Sequence, residues 1–131
     1  MEEIILRTEA YEIIGICMEI HSELGFGFRE IVYKDALEVE LKKRNIPFIR
    51  EKRFDVEYKG IIWRHGYCSD VEIFEKIILE IKAETSIVDE HVSQTTNYLK
   101  VSGLQLGIIV NFGERSLKYK RVVLIGVHNS C

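Results

Sequence analysis

The sequence predicts a mixed α/β domain in which a small central sheet is flanked by helices. Three observations carry that prediction. Apolar residues recur at three- and four-residue spacings through the early part of the chain, as on helices that pack by one face. Two β-branched runs, Val71-Glu72-Ile73-Phe74 and Ile77-Ile78-Leu79-Glu80-Ile81, are separated only by Glu75 and Lys76, as in a tight antiparallel hairpin. A polar joint from Glu84 to Ser86 then leads to another helical stretch and two closing strands. The resulting order is ααβββαββ.

The first helix is expected over about residues 4–24, with Ile13, Ile14, Cys17, Met18, Ile20, His21 and Leu24 on one stripe. Gly25-Phe26-Gly27 breaks it. A second helix over about residues 29–44 turns Val32, Tyr33, Ala36, Leu37 and Leu41 inward. Glu30 lies in its first turn, where an acid either complements the positive helix end or points into a site; spacing leaves both readings open. Asn45 and Pro47 end this helix. Residues 53–60 and 61–67 read as strands leading into the central hairpin, with Phe54, Val56 and Tyr58 alternating against Asp55 and Glu57, and Lys59-Gly60 as a turn. A third helix over about residues 89–102 is stopped by Gly103. Strands at 104–112 and 118–127, joined by a turn near Gly113, close the chain.

Length and composition bound the function. Residues 1–131 are expected to form one domain, large enough for a proper core, and 47% apolar with 30% charged residues is an ordinary soluble composition. No apolar run approaches the roughly 20 residues that a membrane span needs. The N-terminal stretch is too acidic and too broken for a secretory signal. Cys17, Cys68 and Cys131 make an odd, sparse set, which fits free thiols in a reducing cytoplasm. A net charge of −3 announces no global nucleic-acid binder, so local basic residues and metal would have to hold any polyanion.

The chemistry concentrates in the hairpin. Glu80 and Lys82 alternate with Ile81 and so share a face. Whether Asp70 joins them depends on register: a two-residue turn sets Asp70 opposite Ile81, whereas a three-residue loop from Phe74 to Lys76 sets it opposite Glu80 and pairs Val71 with Leu79 and Ile73 with Ile77. The second register stacks apolar on apolar but also acid on acid, which requires a cation between them. An odd-length loop or a bulge, and a metal ion, are therefore expected. A hard divalent ion such as Mg²⁺ would take oxygens from Asp70 and Glu80, with the Ile81 carbonyl as a third, while Lys82 orients or deprotonates the nucleophilic water or offsets charge on a phosphate.

Further along stands Gln94-Thr95-Thr96-Asn97-Tyr98, whose Gln94 and Tyr98 lie one helical turn apart on one face. An aspartate, a Glu-x-Lys triplet and a Q-x-x-x-Y helix in this order resemble the PD-(D/E)XK nuclease superfamily, in its RecB-like branch. The stretch from His21 to Tyr33 is similar to the H-x-x-L-G-x-G-x-x-E-x-x-Y signature of the small GxxExxY proteins. Later pieces, Val56 to Gly60, His91 to Gln94, Asn97 to Leu99, Gly107 to Gly113 and Lys120 to Val123, keep the family order. The resemblance implies a restriction-endonuclease-like αβββαβ core with an extra N-terminal helix and a C-terminal strand. It implies a metal site of Asp70 and Glu80, with Glu30 as a third carboxylate directly or through water, Lys82 as the catalytic lysine, and Gln94 and Tyr98 bonding the lysine, a water or a phosphate. One departure is Cys68, where relatives often carry an arginine.

Cys17, His21, His65 and Cys68 have zinc-like types and spacings, but core packing explains the helical pair. His21 and His91 recur in the signature as structural or supporting histidines. Lys42, Lys43, Arg44, Arg50, Lys52, Arg53, Lys59 and Arg64 are candidate substrate contacts, those from Lys42 to Arg53 as one basic ridge. The tyrosines and phenylalanines read as core and not as a base-stacking platform. The expected activity is a Mg²⁺- or Mn²⁺-dependent phosphodiesterase acting on DNA. The alternative is a nucleic-acid-binding or regulatory module that keeps the fold without cleaving. An exposed sheet edge leaves room for a homo-oligomer.

Overall fold

The structure is a computed structural model that describes residues 5–124, without the side chains of residues 63–65. The expected helix start at residue 4, the strand beyond residue 124, Cys131, and the side chains of Arg64 and His65 lie outside the described residues. The elements are α1 (Arg7–Leu24), α2 (Glu30–Lys43), β1 (Phe48–Arg50), β2 (Arg53–Tyr58), β3 (Ile61–Cys68), β4 (Val71–Ile73), β5 (Ile77–Lys82), α3 (Asp89–Ser102), β6 (Leu106–Asn111) and β7 (Lys118–Val123).

Five strands form the main sheet in the order β1-β4-β5-β6-β7, and β2 pairs only with β3. All neighbours are antiparallel except β5 and β6, which α3 joins as a parallel crossover. Taking α2, β1, β4, β5, α3 and β6 in order gives an αβββαβ core, to which α1 and β7 are added at either end. The β2–β3 hairpin is an insertion between the first and second core strands. β1 is not evident in the sequence, from which β2 and β3 are expected to lead directly into the central hairpin. Three residues after Pro47 are too few to show alternation, and alternation does not say which sheet a strand joins.

The sheet is covered on both faces. Ile13, Ile16, Cys17 and Ile20 of α1 and Tyr33, Leu37 and Leu41 of α2 pack with Ile77, Leu79, Ile81, Ile108 and Val110 on one side. Tyr98 and Leu99 of α3 pack with Ile78, Ile109 and Val122 on the other. Strands covered twice read as continuous apolar runs, as β5 and β6 do. Met18, expected on the α1 stripe, is 47% exposed, and Ile16 takes its place in the core. The α3 side comes so close that a Cβ at Gly107 would strike the Thr95 side chain.

Two local features shape the site end of the sheet. The β4–β5 loop spans Phe74, Glu75 and Lys76, and pairs Val71 with Leu79 and Ile73 with Ile77, the register that stacks apolar on apolar. Phe74 and Glu75 adopt φ of 60° and 59°, and the Lys76 N–H donates to the Ile73 carbonyl at 3.1 Å. The turn is thus left-handed, with Lys76 as the odd residue. The second feature is a bend in the long ribbon formed by β1–β2 and β3–β4. Glu51 N–H donates to Asp70 O at 2.7 Å and Ser69 N–H to Lys52 O at 3.0 Å, with Glu51 at φ 55°. At this bend the β2–β3 hairpin leaves the sheet, and Asp70 stands at the fork.

Candidate active site

The fork frees the Asp70 side chain to reach across to β5. Its Oδ2 accepts the Ile81 N–H at 2.7 Å, while Glu80 Oε2 accepts the Asp70 N–H at 3.0 Å. Each carboxylate thus bonds the backbone of the opposite strand, and the two acids are brought side by side. Glu80 is 3% exposed. Burial, and then the negative charge of Asp70, push its carboxyl up to about 8, against the pull of the Asp70 N–H, Lys82 and Lys34.

A residue not foreseen from the sequence completes the cluster. Lys34, on α2, places Nζ 2.9 Å from Asp70 Oδ1 and 3.9 Å from Glu51 Oε2. Burial works against its charge, but the hydrogen bond and negative charge of Asp70, with Glu51, hold the amine above its ordinary value. Lys34 thus supplies a positive charge beside one of the two opposed acids. In the sequence it looks like an ordinary partner for Glu30, four residues earlier on a helix.

Lys82 follows Glu80 on the same face of β5 and is part-exposed. Its charge acts on Glu80, and it forms no ion pair among the described residues. Tyr98 of α3 comes in from above that face. Burial, and then the charges of Glu80 and Asp70, raise its hydroxyl, so it stays protonated through the physiological range. The Tyr67 ring meets it edge-on at 5.3 Å. Gln94, one turn earlier, is exposed and makes no hydrogen bond among the described residues. Glu30 stands one turn before Lys34, half-buried and also without a bonded partner among the described residues. Among the described residues no three of His, Cys, Asp and Glu converge on one point. The structure brings Asp70, Glu80, Lys34, Lys82 and Tyr98 together, while Glu30 makes no bond to them among the described residues.

The other candidates have structural partners. His21 Nε2 lies 2.9 Å from the Glu114 carbonyl, and His91 Nδ1 accepts the Val88 N–H at 3.2 Å at the start of α3. Cys17 is buried, which pushes its thiol up to about 12, and among the described residues no metal-like cluster surrounds it. Cys68 is exposed at the fork, its Sγ 3.4 Å from the Glu51 carbonyl. The expected basic ridge is largely spent: Arg44 bonds Glu19 and Glu40, Arg50 bonds Asp35 and Glu38, Lys42 pairs with Glu38, and Lys52 with Glu72. Lys59 lies over the Tyr58 ring.

The donor set fits a hard divalent cation. Two oxygen-bearing side chains are forced together, and a positive charge already occupies the space beside one of them. Asp70 and Glu80 are the groups to hold such an ion, in place of or alongside the Lys34 amine.

A mixed sheet clad by helices, with an acid at a strand fork opposite a Glu-x-Lys strand, defines a restriction-endonuclease-like domain. The chain belongs to the PD-(D/E)XK nuclease superfamily, whose family model matches residues 7–122. No curated protein matches the sequence. Among solved structures, SSO0001 is similar at a TM-score of 0.58 and 20% identity over 76% of this chain, which spans 52% of that one, about half its length. An alkaline exonuclease from Laribacter hongkongensis, LHK-Exo, is similar at a TM-score of 0.54 and 12% identity, over 94% of this chain and 72% of that one. These likenesses show the fold.

Proposed function

We propose that the protein is a metal-dependent nuclease that hydrolyses phosphodiester bonds of DNA, using Mg²⁺ or Mn²⁺ held by Asp70 and Glu80, with Glu30 directly or through water. The observation that carries this reading is the cross-strand pairing of Asp70 with Glu80 beside the amine of Lys82, which has no ion-pair partner among the described residues. The bound ion supplies positive charge to a phosphoryl oxygen and acidifies the attacking water. The chain's own groups do the rest. Asp70 and Glu80 fix the site by their bonds to opposite strands. Lys82 orients or deprotonates the water, or offsets charge on the phosphate. The Tyr98 hydroxyl, kept protonated, accepts from the lysine or donates to a water or a phosphate oxygen, and Gln94 offers its amide from the preceding turn.

Within the superfamily we assign the chain to the GxxExxY-like, RecB-like proteins. The signature residues support this by what they do. Gly25 and Gly27 take φ of 72° and 113°, which a side chain disfavours. The Tyr33 hydroxyl donates to the Gly25 carbonyl at 2.6 Å, and its ring stacks on Phe112 at 4.4 Å. Among the described residues no helix is long and apolar enough to cross a membrane, and Cys17 and Cys68 are free thiols; a cytoplasmic location is part of the proposal.

One observation favours the non-cleaving alternative: the Lys34 amine, 2.9 Å from Asp70 Oδ1, balances the charge of a carboxylate proposed to hold the ion. Incubating wild type and Lys82→Ala with Mn²⁺ and plasmid or single-stranded DNA separates the two. The nuclease reading expects cleavage by wild type and a loss of about 10²- to 10⁴-fold in the variant. No cleavage by either, with DNA still retarded in a gel, supports the binding module.

A further inference from the structure

The segment Gly25-Phe26-Gly27-Phe28-Arg29 joins α1 to α2 and leaves two rings in solvent. Phe26 is 52% exposed and Phe28 48%, so the expectation that the phenylalanines belong to the core fails at these two. The loop is tied down nonetheless. The Phe28 N–H donates to Tyr33 Oη at 3.3 Å, and that hydroxyl donates to the Gly25 carbonyl. A loop so fixed presents its rings in a set place.

A chain of contacts links that loop to the candidate site. Tyr33 stacks on Phe112, whose N–H donates to the Lys82 carbonyl at 2.8 Å. From Arg29, α2 runs five residues to Lys34, which touches Asp70. Five residues of helix rise about 7.5 Å, roughly two nucleotides stacked at about 3.4 Å each. Arg29 is exposed and forms no ion pair among the described residues, unlike Arg44 and Arg50. Two exposed aromatic faces and a free guanidinium, one or two nucleotides from a pair of acids, match the chemistry of an unstacked base and its phosphate.

We propose that Phe26, Phe28 and Arg29 form a base-stacking rim that seats an unpaired nucleobase beside the site, so that the protein prefers single-stranded or frayed DNA to intact duplex. The inference deepens the nuclease reading and rests on it for the identity of the neighbouring site. The rings take any base, because every base has a π-face, and the rim therefore confers strandedness without sequence preference. In a closed duplex those faces are covered by neighbouring bases.

The test measures affinity in EDTA, where no cleavage intervenes, for a 2-aminopurine-labelled single strand and the matching blunt duplex. Wild type is compared with Phe26→Ala, Phe28→Leu and the double variant. Leucine keeps an apolar contact with Tyr33 while removing the ring, and thermal melting confirms that each variant folds. The expected result is tighter binding of the single strand by wild type, quenching of the 2-aminopurine, and a loss of about tenfold or more in the double variant, with duplex affinity held within about twofold. Equal losses on both DNAs, no loss, or wild-type preference for duplex would overturn the proposal. So would a shift from dimer to monomer in the double variant, which would make the rim a self-association surface. Parallel Mn²⁺ cleavage keeps the readings apart: absent cleavage with intact strand discrimination sinks the nuclease, and intact cleavage without discrimination sinks only the rim.

Discussion

Asp70 pairs with Lys34 at 2.9 Å, while burial and the charge of Asp70 push the Glu80 carboxyl up to about 8. The consequence for stability has a definite sign. Between the ordinary carboxylate range and pH 8 the folded state binds a proton that the unfolded state has released, so stability falls as pH rises through that window. Glu80→Gln cannot ionise. Thermal or urea unfolding in EDTA is therefore expected to show wild type losing on the order of a few kcal/mol between pH 5 and pH 9, with a much flatter profile for the variant. Identical profiles would mean that Glu80 is not the strained acid. Lys34 gives a second residue-level prediction. Lys34→Met removes the internal counter-ion, so the metal-free variant should melt several degrees lower and recover in Mn²⁺. A variant as stable as wild type in EDTA would show that the ion pair carries no structural role.

At the scale of elements, the site depends on how the strands diverge and how they are buttressed. The joint after Lys82 is pressed against the β6–β7 turn: Glu84 N–H donates to Asn111 Oδ1 at 2.9 Å, and the Asn111 amide donates to the Glu84 carbonyl at 2.9 Å. A Cβ on Gly113 would collide with the Glu84 backbone, which cannot yield as a flexible side chain would. Gly113→Ala is thus expected to cost about 1–3 kcal/mol and to displace the chain just past Lys82, lowering cleavage more than a surface substitution of equal stability cost. Unchanged melting would show that the two turns are not in register as described. Much of this level was legible in the residues. The β4–β5 register followed from matching Val71 to Leu79 and Ile73 to Ile77, and α3 from its spacing and Gly103. What was not legible was partnership: β1 is too short to alternate, β2 and β3 carry no mark of leaving the sheet, and Lys34 is separated in sequence from the acid it serves. Basic residues from Lys42 to Arg53 look like a ridge in the sequence because the acids paired with Lys42, Arg44, Arg50 and Lys52, among them Glu19, Asp35, Glu38 and Glu72, lie on other turns and strands.

Across the whole molecule, the candidate site lies where β4 begins and β5 ends, with α2 on one side of the sheet and α3 on the other. Asp70 comes from the fork, Glu80 and Lys82 from the neighbouring strand, Lys34 from one helix layer and Tyr98 from the other. The exposed sheet edge at β7 carries Lys118, Lys120 and Arg121, which discourages strand-to-strand pairing with a second copy. The central claim is that Asp70 and Glu80 together hold a divalent ion. Its most direct test is anomalous diffraction from crystals soaked in Mn²⁺. The account predicts one strong peak within about 2.0–2.6 Å of an oxygen from each carboxylate, with the Lys34 amine drawn away from Asp70. A site that stays empty at saturating Mn²⁺, with Lys34 still on Asp70, would contradict it.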